Sequence, residues 1–482
     1  MRRLKDFKIL TTGHFLQAVI LFLSTRIMTA LLSPTEMGRF SIIYAIMALC
    51  GALFITPVST YIQRKILEWN TAGRVGFFSA RYARYLLVVS VTVSLFVLLA
   101  KHLAGIGIHI SDPWVMVVIF GLIYFANLNL YYYGALNIFQ KRLWFTACQN
   151  LTLGLGLALA VFFVQTFSQR AEYWVLGQIA GQIVVLFLAR HLFFRAIRSP
   201  ADGEEVAVPE TGVLIKEVAH FVWPLAVASL IIWVQSQCYP FVMQSLNGIA
   251  VVGLFSVGFN LGLKLTAKCE SLLMAFYDPI FYSDIAHSDA KARIQAWNRY
   301  AGIFIPAMVL LCCYICAGGP FIARIFLAEQ FRAISGNIVF WGGATSLVMT
   351  IVGLYKNVGI ASLKMTGLIG PYILGAVVTI TGIYAFSAWD PYHGAGLALF
   401  LGSLAILIYL MIKMHNLLAV TFPLGRLMIS CGYALPMIGV LLYCRRIFPG
   451  PTLWQALAIL VLTGFYQLGA QALLARKWFL KT

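Results

Sequence analysis

Charge is scarce in this chain, and negative charge scarcest: 11% of its 482 residues are charged, 16 of them acidic against 35 Lys and Arg. No long polar stretch interrupts the apolar runs that recur from Ile9 to Leu474, so no separate soluble domain has the composition to fold between them. A Gly-rich loop ending in Gly-Lys-Ser/Thr is missing, which argues against ATP hydrolysis by this chain. The nine cysteines lie almost entirely inside apolar runs. Cys312, Cys313 and Cys316 include a C-x-x-C spacing, but His and acidic residues are absent around it, so packing accounts for it better than metal or redox chemistry. The sequence thus implies no metal, no cofactor and no catalytic residues. Nor is there a Lys/Arg-rich domain or aromatic-basic module, so a net charge of +19 does not signal nucleic-acid binding.

What is present is apolar length. Hydrophobic residues make up 61% of the chain and the mean hydropathy is +0.87, beyond ordinary globular composition. About fourteen spans are expected, centred near Ile20, Leu49, Val93, Phe125, Leu157, Ile183, Ile232, Leu265, Val309, Leu347, Val378, Ile406, Pro436 and Leu462. The basic start MRRLKDFK leads into a long apolar run without a small-residue cleavage site, which reads as an uncleaved first span. Across these spans, 24 Lys/Arg fall on one set of loops, 7 on the other and 4 inside spans. The richer side, which carries both termini, is cytoplasmic by the positive-inside rule.

The two sides of the polar segment Arg195–Lys216 resemble each other. MGRFSI around Gly38 answers VGLFSV around Gly253, and GALNIFQK from Gly134 answers GIASLK from Gly359. Pro57 and Pro279, each expected to end its helix, stand at a similar offset. The expectation is an all-α integral membrane protein: residues 1–198 as a six-helix bundle, 199–216 as a cytoplasmic linker, 217–415 as a second six-helix bundle in parallel repeat, and 416–482 as two additional helices. Duplicated bundles of this kind usually enclose a central cavity.

Inside this apolar background, Ser256, Asn260, Lys264 and Lys268 form a ladder at four-residue steps on the segment Val251 to Pro279, so one helix face carries all four. A cation within a span costs about 2.5–3.5 kcal/mol on insertion scales, and such residues usually face water or an anionic ligand. The equivalent positions of the first half, Ser41, Ala45, Leu49 and Leu53, carry no charge. A duplicated scaffold with one cationic copy points to a function beyond packing. Arg26, about 9 Å inside the outer end of the first span, is the second intramembrane cationic position. Snorkelling toward the interface, or pairing of Lys268 with Glu270, is the competing account. Lys356, close to an inner span end, reads as a snorkelling anchor. Glu270 and Asp278 suit either proton coupling or neutralisation of the lysines. Trp233, Gln235, Gln237 and Tyr239 suit either sugar stacking and hydroxyl binding or plain helix packing. Gly177-x-x-x-Gly181 is a spacing that permits close helix contact.

The stretches LLSPTEMGRFSIIYA (Leu31–Ala45), GALNIFQKRLWFTA, and Trp223 to Phe259 resemble the polysaccharide transport branch of the multidrug/oligosaccharidyl-lipid/polysaccharide exporter superfamily, the Wzx-like flippases. The resemblance implies two six-helix bundles with two extra helices around a V-shaped cavity. It also implies translocation of polyprenyl-diphosphate-linked oligosaccharide units to the outer leaflet of a bacterial inner membrane, for O-antigen or exopolysaccharide assembly. On that resemblance Arg26 matches a first-helix arginine that related lipid II flippases use at the diphosphate, and Lys264 or Lys268 matches their eighth-helix cation. Membrane lipids, a polysaccharide polymerase and export machinery are the partners it implies. Multidrug antiporters of the same superfamily typically carry an acidic residue in the first span. This chain has none there, which weighs against the rival reading as a cation-coupled drug or metabolite exporter.

Overall fold

A backbone in hydrocarbon must satisfy its own hydrogen bonds, and a run of about twenty apolar residues does so as a helix. In the computed structural model, which describes residues 2–103, 111–197, 211–285, 290–361, 369–417 and 419–479, the described secondary structure is helical throughout. Fourteen stretches are long and apolar enough to cross a membrane, and each expected span centre falls inside one of them. The chain is a multi-pass membrane protein. Residues 199–210 of the expected linker, Lys364 of the second turn motif and the Asp278 side chain lie outside the described residues.

The chain divides into two compact units, Met1–Trp233 and Val234–Thr482. The division falls within a helix rather than in the polar segment 199–216. In the first unit, α1 (Arg2–Leu31), α2 (Pro34–Cys50), α3 (Thr56–Thr71), α4 (Val75–Leu103), α5 (Asp112–Ile138), α6 (Arg142–Thr166) and α7 (Ala171–Ala196) precede α8 (Thr211–Gln237). α7 packs on α6 and α5, α5 on α4, and α1 on α6. The α6–α7 contact is backbone to backbone: a Cβ on Gly181 would lie 2.5 Å from Gly156 N, and one on Gly177 would strike Ala160. Most of α8, as far as Trp233, belongs here: Trp233 Nε1 donates to Ala45 O at 3.0 Å and the Tyr61 hydroxyl to Glu217 Oε1 at 2.9 Å.

Pro57 does not end its helix. The helical path continues from Pro34 to Thr71 through a π-helical turn, Gly51–Ile55. That wider turn comes just before Pro57, where the missing N–H would break the ladder. Phe54 O accepts the Tyr85 hydroxyl at 2.8 Å, so a carbonyl at the irregularity is satisfied from α4.

The second unit comprises the end of α8 with α9 (Tyr239–Asn247), α10 (Ile249–Ile285), α11 (Ala290–Ala317), α12 (Gly319–Phe326), α13 (Glu329–Ala361), α14 (Ile369–Phe386), α15 (Pro391–His415), α16 (Leu424–Ile447) and α17 (Leu453–Phe479). Its pairings repeat those of the first: α15 packs on α14 and α13, α13 on α11, and α9 on α14. Gly402 fills the role of Gly181: a Cβ there would lie 2.8 Å from Gly375 O. α10 runs on past Pro279, which therefore does not terminate it. The two C-terminal helices, α16 and α17, pack on α11 and α12.

Candidate functional site

α10 has two faces with different tasks. Leu254, Gly258, Gly262, Thr266 and Glu270 recur at four-residue steps, and this face meets α13. Ser335 Oγ donates to Leu254 O at 2.7 Å, and Thr350 Oγ1 donates to Glu270 Oε2 at 2.8 Å. Between them, Gly258 and Gly262 let the backbones touch: Cβ atoms there would lie 2.8 Å from Ser335 Cα and Gly343 N. The ladder Ser256, Asn260, Lys264, Lys268 sits two residues out of phase, about 200° around the helix. The glycine seam thus turns the ladder away from α13.

The ladder itself divides in the middle. Ser256 is buried, 1% exposed, and accepts the Tyr239 hydroxyl at 3.3 Å. Asn260, half-buried, donates to the same oxygen at 3.5 Å. Tyr239 packs in an apolar cluster with Phe255, Phe259 and Leu399, so these upper two rungs are fastened to α9. Lys264 is exposed, and it has no hydrogen bond, ion pair or ring contact with any described residue. Lys268 is half-buried.

Distance along the helix bears differently on the two lysines. From Lys264 to Met274 is already about 15 Å of helix, further than a four-carbon stem reaches, and α10 continues to Ile285. Lys268 lies one turn, about 6 Å, nearer that end, so snorkelling fits Lys268 better than Lys264. Glu270, on the α13 face, points to the opposite side of the helix from Lys268.

The remaining expected residues lie elsewhere. Arg26 is half-buried on α1, in the first unit, where Thr29 Oγ1 donates to its backbone carbonyl at 3.1 Å. The Trp233 ring N–H is engaged with Ala45 O in that unit. Gln235 is 1% exposed and its Nε2 donates to Ser403 Oγ at 3.1 Å in the second. Both side-chain N–H groups are thus engaged within the protein, while Gln235 Oε1 is buried without a hydrogen-bond partner. Lys356 lies 5.0 Å from the Tyr372 ring centroid, a cation–π contact that anchors α13 to α14. Of the free thiols, Cys312 and Cys316 approach to 3.6 Å within one helix, and no described group of His, Cys, Asp and Glu is arranged to hold a metal. Thr350 is the partner that sequence reasoning missed. It is a lone hydroxyl in an apolar span, and only the α10–α13 register reveals its carboxylate.

Comparison with known proteins gives a fold. No protein-family model matches the chain, and no curated protein sequence does either. Among solved structures, "Lipid II flippase MurJ, inward closed conformation" superposes with a TM-score of 0.71 over 99% of this chain and 100% of that one, at 11% identity. An inward-facing multidrug resistance MATE family transporter of the MOP superfamily gives 0.62 at 15% identity, covering 83% of this chain and 95% of that one. A MOP superfamily transporter from Pyrococcus furiosus, described as having a binding pocket of reverse polarity, gives 0.57 at 15% identity, covering 86% of this chain and 96% of that one. This chain has the fold that these transporters share, along nearly its whole length.

Proposed function

We propose that the protein is a flippase for a polyprenyl-diphosphate-linked oligosaccharide, moving it from the cytoplasmic to the outer leaflet of a bacterial inner membrane, with both termini cytoplasmic. The observation that carries this reading is Lys264: a cation exposed at mid-span, unpaired among the described residues, on the face that the glycine seam turns away from α13. A position like that is costly unless an anion or water meets it. The fold shared with a lipid II flippase supports a lipid-linked anion as the cargo.

In this reading Lys264 holds the diphosphate and Lys268 assists from nearer the cytoplasmic end. Arg26, closer to the outer end of its own span, is the third positive charge the headgroup meets. The lipid tail stays in the bilayer while sugars pass through water. Alternating access by rocking of the two bundles supplies the movement. A membrane potential negative inside favours outward movement of an anion by about 2.3 kcal/mol per charge per 100 mV, so a diphosphate needs no ATP to move. Polymerase and export machinery would take the product onward.

Complementation of a polymer-export defect tests the reading. Replacing Lys264 and Lys268 together with Ala is expected to abolish export while the protein still reaches the membrane. Full export by that variant overturns the assignment.

A further inference from the structure

The side of the membrane poor in positive charge spends it unevenly. Its seven basic residues are Arg39, Lys101, Arg170, Arg324, Arg332, Arg445 and Arg446. Two of the three in the first unit are matched by acids: Arg39 meets Glu36 at 2.7 Å and Lys101 meets Asp112 at 2.6 Å. The other four belong to the second unit, and Arg324, Arg332 and Arg445 line one cavity of about 420 Å³ among α12, α13 and the α16–α17 turn. Glu329 is the single acid on its rim. Neither Arg324 nor Arg445 forms an ion pair with a described residue. Arg445 instead donates to Asn337 Oδ1 at 2.9 Å, and Arg332 Nε to Leu327 O at 3.1 Å, which holds both side chains at the rim.

Asn337, Pro320 and Arg445 also line a second cavity of about 620 Å³, so the two chambers adjoin. Cys316, Phe340 and Leu442 give that chamber apolar walls. Arg332 sits three residues inside its span and Arg445 two, about 3–5 Å from the span ends, the level of lipid headgroups. Simple snorkelling explains one arginine at such a level. It does not explain three on one rim that opens into an apolar chamber.

We propose that this place binds the phosphate of an anionic phospholipid of the outer leaflet, with one acyl chain in the apolar chamber. No α10 residue lines either chamber, so the site is distinct from Lys264 and needs no cargo. A resident lipid there would brace α16 and α17 against the bundle.

The test reads binding without transport, so its failure and that of the flippase reading are separable. Full-length protein in phosphatidylcholine nanodiscs is titrated with phosphatidylglycerol, and retained lipids are counted by native mass spectrometry. Arg324→Ala/Arg445→Ala is expected to lose one retained phosphatidylglycerol, with affinity weaker by roughly 25-fold for two interfacial arginines. Arg324→Lys/Arg445→Lys keeps it, and Cys316→Trp, which fills the chamber and leaves the rim intact, weakens it. Unchanged retention in the Ala variant overturns the proposal. So does displacement of the lipid by millimolar inorganic phosphate, which would make this a site for free anions.

Discussion

Thr350 Oγ1 donates to Glu270 Oε2 at 2.8 Å, and this one bond fixes the lower end of the α10–α13 seam. It holds the carboxylate on the packing face, away from the cationic ladder. We propose that a side chain placed so acts as a strut rather than as a proton carrier. Glu270→Gln keeps an acceptor for Thr350 and is expected to flip cargo within about twofold of wild type. Glu270→Ala leaves the hydroxyl without this partner and is expected to cost about 1–3 kcal/mol of stability. Proteoliposome flipping rates at two pH values check this. If Glu270→Gln abolishes transport, the carboxylate is the coupling group after all.

The glycine seam makes a separate prediction. Gly258→Ala places a methyl group against the Ser335 carbonyl, where backbone stands on both sides and neither side chain can give way. Overpacking of this kind costs about 1–3 kcal/mol, and the ladder rotates if α10 shifts to relieve it. Gly51→Ala is the control, because nothing lies within 4 Å of a Cβ at that position. Thermal unfolding in detergent is expected to show a clear fall in Tm for the first variant and almost none for the second.

Much of this was legible in the sequence because membrane folding leaves few options. Length and hydropathy alone place all fourteen spans, and a four-residue period is enough to put Lys264 and Lys268 on one face. Tertiary partners are where pattern fails. Ser256 and Asn260 look like Lys264 in the ladder, yet a tyrosine on the preceding helix captures both. Pro57 reads as a terminator because proline usually is one, and only the π-helical turn before it lets the helix continue. The arginine cluster is invisible along the chain because Arg324 and Arg445 are far apart in sequence and meet through packing of α12 against α16–α17. The division of the units within α8 depends likewise on contacts, those of Trp233 and Glu217.

The two lysines are expected to differ in weight. A charge-assisted hydrogen bond contributes about 1.5–3 kcal/mol, so Lys264→Ala should weaken diphosphate binding roughly 10- to 150-fold. Lys268→Ala should cost less, because that residue is half-buried and one turn nearer the end of α10. Lys264→Arg keeps the charge and should recover part of the loss. Equilibrium binding of a short-chain polyprenyl-diphosphate sugar to the purified variants reads this directly. An order reversed between the two lysines would move the primary contact to Lys268.

Water access along the ladder provides the most direct test of what Lys264 faces. In a background without other cysteines, cysteine is placed in turn at positions 256, 260, 264 and 268 and treated with a membrane-impermeant, charged thiol reagent. Ser256→Cys is expected to stay unlabelled, since that position is 1% exposed and packed behind Tyr239. Lys264→Cys is expected to react, and to be protected by the diphosphate substrate, because its side chain is exposed at mid-span. The reagent reacts with thiolate in water and hardly at all in hydrocarbon, so labelling separates a wet face from a lipid-facing one. A position 264 that remains inert while position 268 reacts would mean that water stops at the cytoplasmic interface. Lys264 would then be a lysine in lipid, and the cationic ladder could not receive a headgroup.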